Sequence, residues 1–179
     1  MIRLEEASWV AVQEISCTTL IYNGTSYPDD RQSSHLADFC VPISLGSAAG
    51  DAWTKQRQPS KAMGDGIVIF KAGEIEFVPL EGLFELGSFW RTILRVLEEF
   101  LENGNAEKSL EDQPANVSLR LQGRVAKFSI DDVTYTVSPR PFIQGLLEGA
   151  RDFYSWLDTY IGHYDPADRS SLAKMQTFL

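Results

Sequence analysis

Apolar and polar positions alternate most cleanly between residues 117 and 138. Val117, Leu119 and Leu121 alternate with Ser118, Arg120 and Gln122, and Gln122-Gly123 then supplies a turn. Ala126, Phe128 and Ile130 alternate with Lys127 and Ser129, and Asp131-Asp132 turns again. Val133, Tyr135 and Val137 alternate with Thr134, Thr136 and Ser138. A period of two sends successive side chains to opposite faces, so this stretch predicts a three-stranded antiparallel meander with one apolar and one polar face. The polar face must meet solvent or a partner.

A helical period appears on either side of the meander. Phe89, Trp90, Ile93, Leu94, Val96, Leu97, Phe100 and Leu101 form a broad apolar face, with Arg91, Arg95, Glu98, Glu99 and Glu102 opposite. Ser88 is the expected N-cap and Gly104 the expected stop, which gives a core-packing helix over 88–103. Residues 105–116 are polar and read as a linker. After Pro141, Ile143, Leu146, Leu147, Ala150, Phe153, Tyr154, Leu157, Tyr160 and Ile161 set a second helix, ended by Gly162. Gly145 and Gly149 fall on one face of it. Each costs about 1 kcal/mol relative to Ala, a cost tolerated where a backbone or sheet must come close.

Residues 8–22 are rich in β-branched and aromatic types and read as strand, interrupted near Glu14. Residues 67–70 and 75–78 flank Lys71-Ala-Gly-Glu74 and read as a hairpin, closed by Pro79, which cannot donate to a ladder. Strands followed by helices indicate an α+β fold: an antiparallel sheet, hairpin plus three-stranded meander, with two main helices packed on one face.

Between these elements the pattern weakens. Residues 24–66 are rich in proline and glycine, and 46–66 reads as a mobile loop inside a single domain spanning 1–179. Lys55, Arg57 and Lys61 make that loop locally basic, and Trp53 is its one large aromatic: exposed, it would mark a contact point, whereas large aromatics more often tuck back onto the core. One domain suits a chain of 179 residues, long enough for a core without staples.

Charge changes the picture next. Sixteen Lys and Arg against 25 Asp and Glu give a net −9, which argues against nucleic acid and against an anionic membrane surface. No run approaches the roughly 18 apolar residues of a membrane span, and Glu5 and Glu6 interrupt any secretory signal, so a cytoplasmic location is expected. Cys17 and Cys40 read as reduced, buried thiols, and the triplets beginning at Asn23 and Asn116 as chance glycosylation matches.

Candidate chemistry is thin. His35 lies five residues before Cys40, but no signature context surrounds the pair. His163, Asp165 and Asp168 are too few for a zinc site, and Gly64-Asp-Gly66 precedes a strand rather than joining a strand to a helix as a phosphate loop does. Adjacent carboxylates such as Asp131-Asp132 serve turns better than a glycosidase pair held across a cleft. No catalytic residue, metal or cofactor is therefore expected.

The densest charge lies in the run 98–112. Glu98, Glu99, Glu102, Glu107, Glu111 and Asp112 stand against Lys108 alone, a local −5. With Trp53, these acids are the expected partner-binding residues, because a concentrated negative patch steers a basic protein toward it. The leading expectation is a non-catalytic acidic protein-binding domain, more narrowly an immunity-type inhibitor that neutralises a basic toxin or enzyme. Two alternatives stand beside it. One is a small-molecule or enzymatic site beneath the 46–66 loop, lined by Trp53, Tyr27, His35 and Cys40. The other is a structural subunit of a homo-oligomer.

Overall fold

The computed structural model describes residues 15–24, 37–56, 64–72, 75–77, 82–162 and 166–176. The fold is α+β, with two antiparallel sheets and four helices among the described residues.

The first sheet is built around β1 (Ser16–Tyr22) and β3 (Asp65–Ala72), paired from Ser16↔Lys71 to Ile21↔Gly66. The short strand β2 (Cys40–Pro42) flanks β1, while β4 (Ile75–Phe77) and β5 (Phe84–Glu85) pair with different stretches of β3. The expected hairpin is therefore present, and its ladder continues to Ala72↔Ile75. It does not share a sheet with the meander, however.

A 3-10 turn at Ile43–Leu45 leads into α1 (Ser47–Gln56). Here the structure corrects the expectation of a mobile loop over 46–66, because 47–56 is helical and 65–72 is strand. Ala49, Gly50, Ala52 and Trp53 give α1 a small buried face. Its last residue pins it in place: Gln56 Nε2 donates to the carbonyls of Tyr22 and Asp65, and its Oε1 accepts the Asp65 N–H at 2.8 Å. Tertiary hydrogen bonds thus hold a segment whose weak amphipathicity gave no helical signal.

The long helix α2 (Leu86–Asn103) starts two residues before the expected cap. Glu85 caps it instead, its carboxylate accepting the Ser88 N–H at 3.1 Å. Burial pushes the Glu85 carboxyl above the usual carboxylate range, against the lowering effect of that same bond. Gly104 ends the helix in the left-handed conformation, φ 71°, where its N–H donates back to the Phe100 carbonyl.

The second sheet holds the meander, β7 (Asn116–Gln122), β8 (Val125–Ile130) and β9 (Val133–Val137), in the expected register. A fourth strand, β6 (Asn105–Ser109), occupies part of the expected linker and pairs with β7. The reason is burial: Ala106 and, just past the strand, Leu110 are inside while Glu107 and Ser109 face out.

The helix α3 (Pro139–Tyr160) crosses β1. A Cβ added at Gly145 would lie 2.1 Å from the Ile15 carbonyl oxygen, and one at Gly149 2.5 Å from Cys17 Cβ. These two glycines are where helix and strand touch, as their shared face implied. The short helix α4 (Pro166–Gln176) packs against α2 and α3.

One continuous core joins both sheets to the helices. Phe70 of β3 and Phe128 of β8 sit 6.1 Å apart, and Phe128 meets Phe142 of α3 at 4.8 Å. Trp90 of α2 is fully buried, and its indole N–H donates to Thr19 Oγ1 of β1 at 3.2 Å. Aromatic pairs at such spacings add to burial already worth about 1.5–3 kcal/mol per large side chain. The helices occupy the apolar side of β6–β9, so the opposite side is left open among the described residues.

Candidate interaction surface

The run 98–112 folds into α2, β6 and the bend that follows, and five of its six acids meet cations of the same chain. Glu98 takes the Lys174 ammonium from α4, with Glu102 3.5 Å from the same nitrogen. Glu99 pairs with Lys108. Glu107 receives Arg120 of β7 at 2.6 Å. Glu111 lies 3.2 Å from Arg95 and 3.7 Å from Arg91. Asp112 accepts the Glu85 backbone N–H at 2.7 Å. In sequence the run counts −5; in space five bases stand among its six acids. Exposed pairs of this kind stabilise little individually, but they cancel field.

Arg91 also pairs with a buried acid. Its guanidinium donates to both carboxylate oxygens of Asp168, at 3.1–3.2 Å, and Asp168 is buried. The hydrogen bond to Asp168 raises the Arg91 pKa further above its already high ordinary value.

Trp53 is not an exposed contact. It is 3% accessible and packs edge-on against Trp156 at 5.5 Å and near Phe153 at 6.2 Å. A large indole on the small-residue face of α1 gains more by filling the core than by meeting water. The site imagined beneath the 46–66 loop loses that wall. Cys40 is half-buried, and Tyr27, His35, Arg57, Lys61 and His163 lie outside the described residues. Both cysteines are free; burial pushes the Cys40 thiol up to about 12 and the Cys17 thiol higher still, helped by Asp152 and Glu148. Neither thiol is poised as a nucleophile. Among the described residues no three His, Cys, Asp or Glu side chains gather as metal ligands, and no helix is long and apolar enough to cross a membrane.

The open feature is the polar face of β6–β9. Strand register arranges its side chains in rows. Asn105, Arg120, Lys127 and Thr136 form one row, and Glu107, Ser118, Ser129 and Thr134 the next. Arg120 and Lys127 face each other across β7 and β8, an unfavourable like-charge pair in isolation. Each is answered by a neighbour: Glu107 takes Arg120, and Lys127 donates to the Thr136 hydroxyl. Ser129 and Thr134 share a hydrogen bond at 2.8 Å, as do Ser109 and Asn116. The face forms a depression of about 500 Å³ bounded by these rows and Asp131. A smaller one, about 390 Å³, lies between β1, the 3-10 turn and α3, beside Cys17, Ser44, Asp152 and Trp156.

Of the expected partner-binding residues, only Glu107 lines this face. The alternation over 117–138 already marked most of the rest, but what sequence reasoning missed was β6. The usable signal was the spacing of Ala106 and Leu110, which puts Glu107 and Ser109 on the opposite side.

No protein family, curated protein or solved structure matches the chain.

Proposed function

We propose that the chain is a non-catalytic protein-binding domain that docks a basic protein through the polar face of β6–β9. What carries this reading is that face itself: a regular four-stranded surface with prearranged hydrogen-bonding groups, backed by a packed aromatic core and left uncovered by the described helices. Non-obligate interfaces are about as polar as the rest of a protein surface, so hydroxyl and amide rows suit one. Four strands about 4.8 Å apart and about 20 Å long offer roughly 400 Å². That is half of the about 800 Å² per partner in a standard interface, so the rim must contribute the remainder. The turns at Gly123-Arg124 and Asp131-Asp132 lie at that rim.

The basic character of the partner follows from the net −9, which draws a cation-rich protein in from a distance while the face sets the fit. The narrower reading is an immunity-type inhibitor that masks a basic toxin or enzyme. Affinity capture from the source cells at low and high salt tests it, run in parallel with a Ser118→Arg, Ser129→Arg double variant. The expected result is a basic protein retained by the wild type at low salt, weakened by high salt and lost with the variant. A partner retained equally by both forms, or none at either salt, overturns the proposal.

A further inference from the structure

The chain contains two Asn–Gly pairs, Asn23-Gly24 and Asn103-Gly104. Asparagine is thermolabile, and most so before glycine, where no side chain hinders the next backbone nitrogen from reaching the amide carbon. Both asparagines are exposed, so exposure does not separate them. The fold does.

Asn103 is the last residue of α2, and Gly104 is held at φ 71° with its N–H donating to the Phe100 carbonyl at 2.7 Å. The nitrogen that would attack is locked into the helix stop. Asn23 lies just past the end of β1, and Gly24 lies beyond both ladders of that strand. The Asn23 N–H donates to the Phe39 carbonyl at 2.9 Å, which anchors the backbone there. Its side-chain Oδ1 accepts a hydrogen bond from the Lys55 ammonium of α1 at 3.3 Å. That cation polarises the amide carbonyl and faces the oxygen on which charge develops when the carbon is attacked. A Cβ at Gly24 would sit 2.1 Å from the Tyr22 hydroxyl oxygen, so packing keeps residue 24 a glycine.

We infer that Asn23-Gly24 is a site of self-modification, at which Lys55 promotes deamidation. Hydroxide from solvent takes the Gly24 amide proton, and the freed nitrogen bonds to the Asn23 side-chain carbon. Oδ1 carries the negative charge beside Lys55. The bond to Nδ2 then breaks, and ammonia leaves with a proton from water. The resulting succinimide takes up water and opens to aspartate or isoaspartate. Either product sets a carboxylate beside the Lys55 ammonium, so an ion pair replaces the hydrogen bond. Isoaspartate also adds a backbone methylene at the end of β1. None of this depends on the docking proposed above.

Peptide mapping by mass spectrometry of the full chain, aged at mildly alkaline pH, tests the inference. An isoaspartyl methyltransferase assay identifies the isomer. In the folded chain Asn23 is expected to convert about tenfold or more faster than Asn103, the factor set by breaking a hydrogen bond of about 1.4 kcal/mol at Gly104. In urea the two pairs are expected to convert at matched rates. Lys55→Met is expected to slow Asn23 by about tenfold while leaving Asn103 and the circular dichroism spectrum unchanged. Should that variant misfold, the comparison of folded and urea-unfolded wild type still decides. An Asn23 that converts no faster than Asn103 in the folded chain overturns the inference. So does a gap between the two that persists in urea, or a folded Lys55→Met chain that keeps the wild-type rate.

Discussion

Replacing Gly145 by alanine sets helix propensity against packing, and the structure decides the sign. In an open helix the change would stabilise by about 1 kcal/mol, since glycine loses more backbone freedom on folding. At this position α3 lies against the backbone of Ile15. The added methyl would sit 2.1 Å from the Ile15 carbonyl oxygen and 2.4 Å from its Cγ2. Carbon and carbonyl oxygen ordinarily approach no closer than about 3.3 Å, so helix and strand must part by about 1 Å. The obstacle is backbone, which cannot swing aside as a side chain can. Overpacking of a well-filled core costs about 1–3 kcal/mol, and a backbone clash belongs at the upper end. Net of the propensity gain, Gly145→Ala is expected to destabilise by about 2 kcal/mol. With a slope near 2 kcal/mol per molar, the urea midpoint falls by roughly 1 M. Equilibrium unfolding followed by tryptophan fluorescence and circular dichroism reads this directly. An unchanged or raised midpoint would refute the claim that the two glycines exist to let α3 touch β1.

Arg91→Met leaves the buried Asp168 carboxylate without its bidentate donor, and is expected to cost about 3–5 kcal/mol in chemical unfolding; a loss under 1 kcal/mol would mean that solvent already serves Asp168. Glu85→Gln keeps a capping acceptor for the Ser88 amide while removing a carboxylate that burial disfavours. Because the folded pKa lies above the unfolded value, the penalty is present at neutral pH and vanishes as pH falls below about 4.3. Thermal melts should therefore show the variant more stable at pH 7 and matched to the wild type near pH 3; the opposite order would sink the assignment. Cys17 and Cys40 are expected to resist a disulfide reagent at pH 8 in the folded chain and to react within the mixing time in urea, and two fast thiols in native buffer would contradict their raised pKa values.

Local pattern alone determined much of this protein. The period-two alternation of 117–138 is enough to place three strands and to name their polar side. The apolar face of α2 and the stop at Gly104 are equally local, and Gly145 with Gly149 announced a close approach without saying to what. Tertiary structure decided the rest, since each remaining question turned on which distant groups meet. Residues 47–56 have too little amphipathicity to signal a helix; the bonds of Gln56 to β1 and β3 supply what propensity does not. The sequence leaves Trp53 open between contact point and core filler, and its partners Phe153 and Trp156, a hundred residues away, decide for the core. The acidic run is a concentrated −5 along the chain because the bases that answer it, Arg91, Arg95, Arg120 and Lys174, are brought to it only by folding. Charge adds along a sequence, but field adds in space, and only the fold fixes the distances.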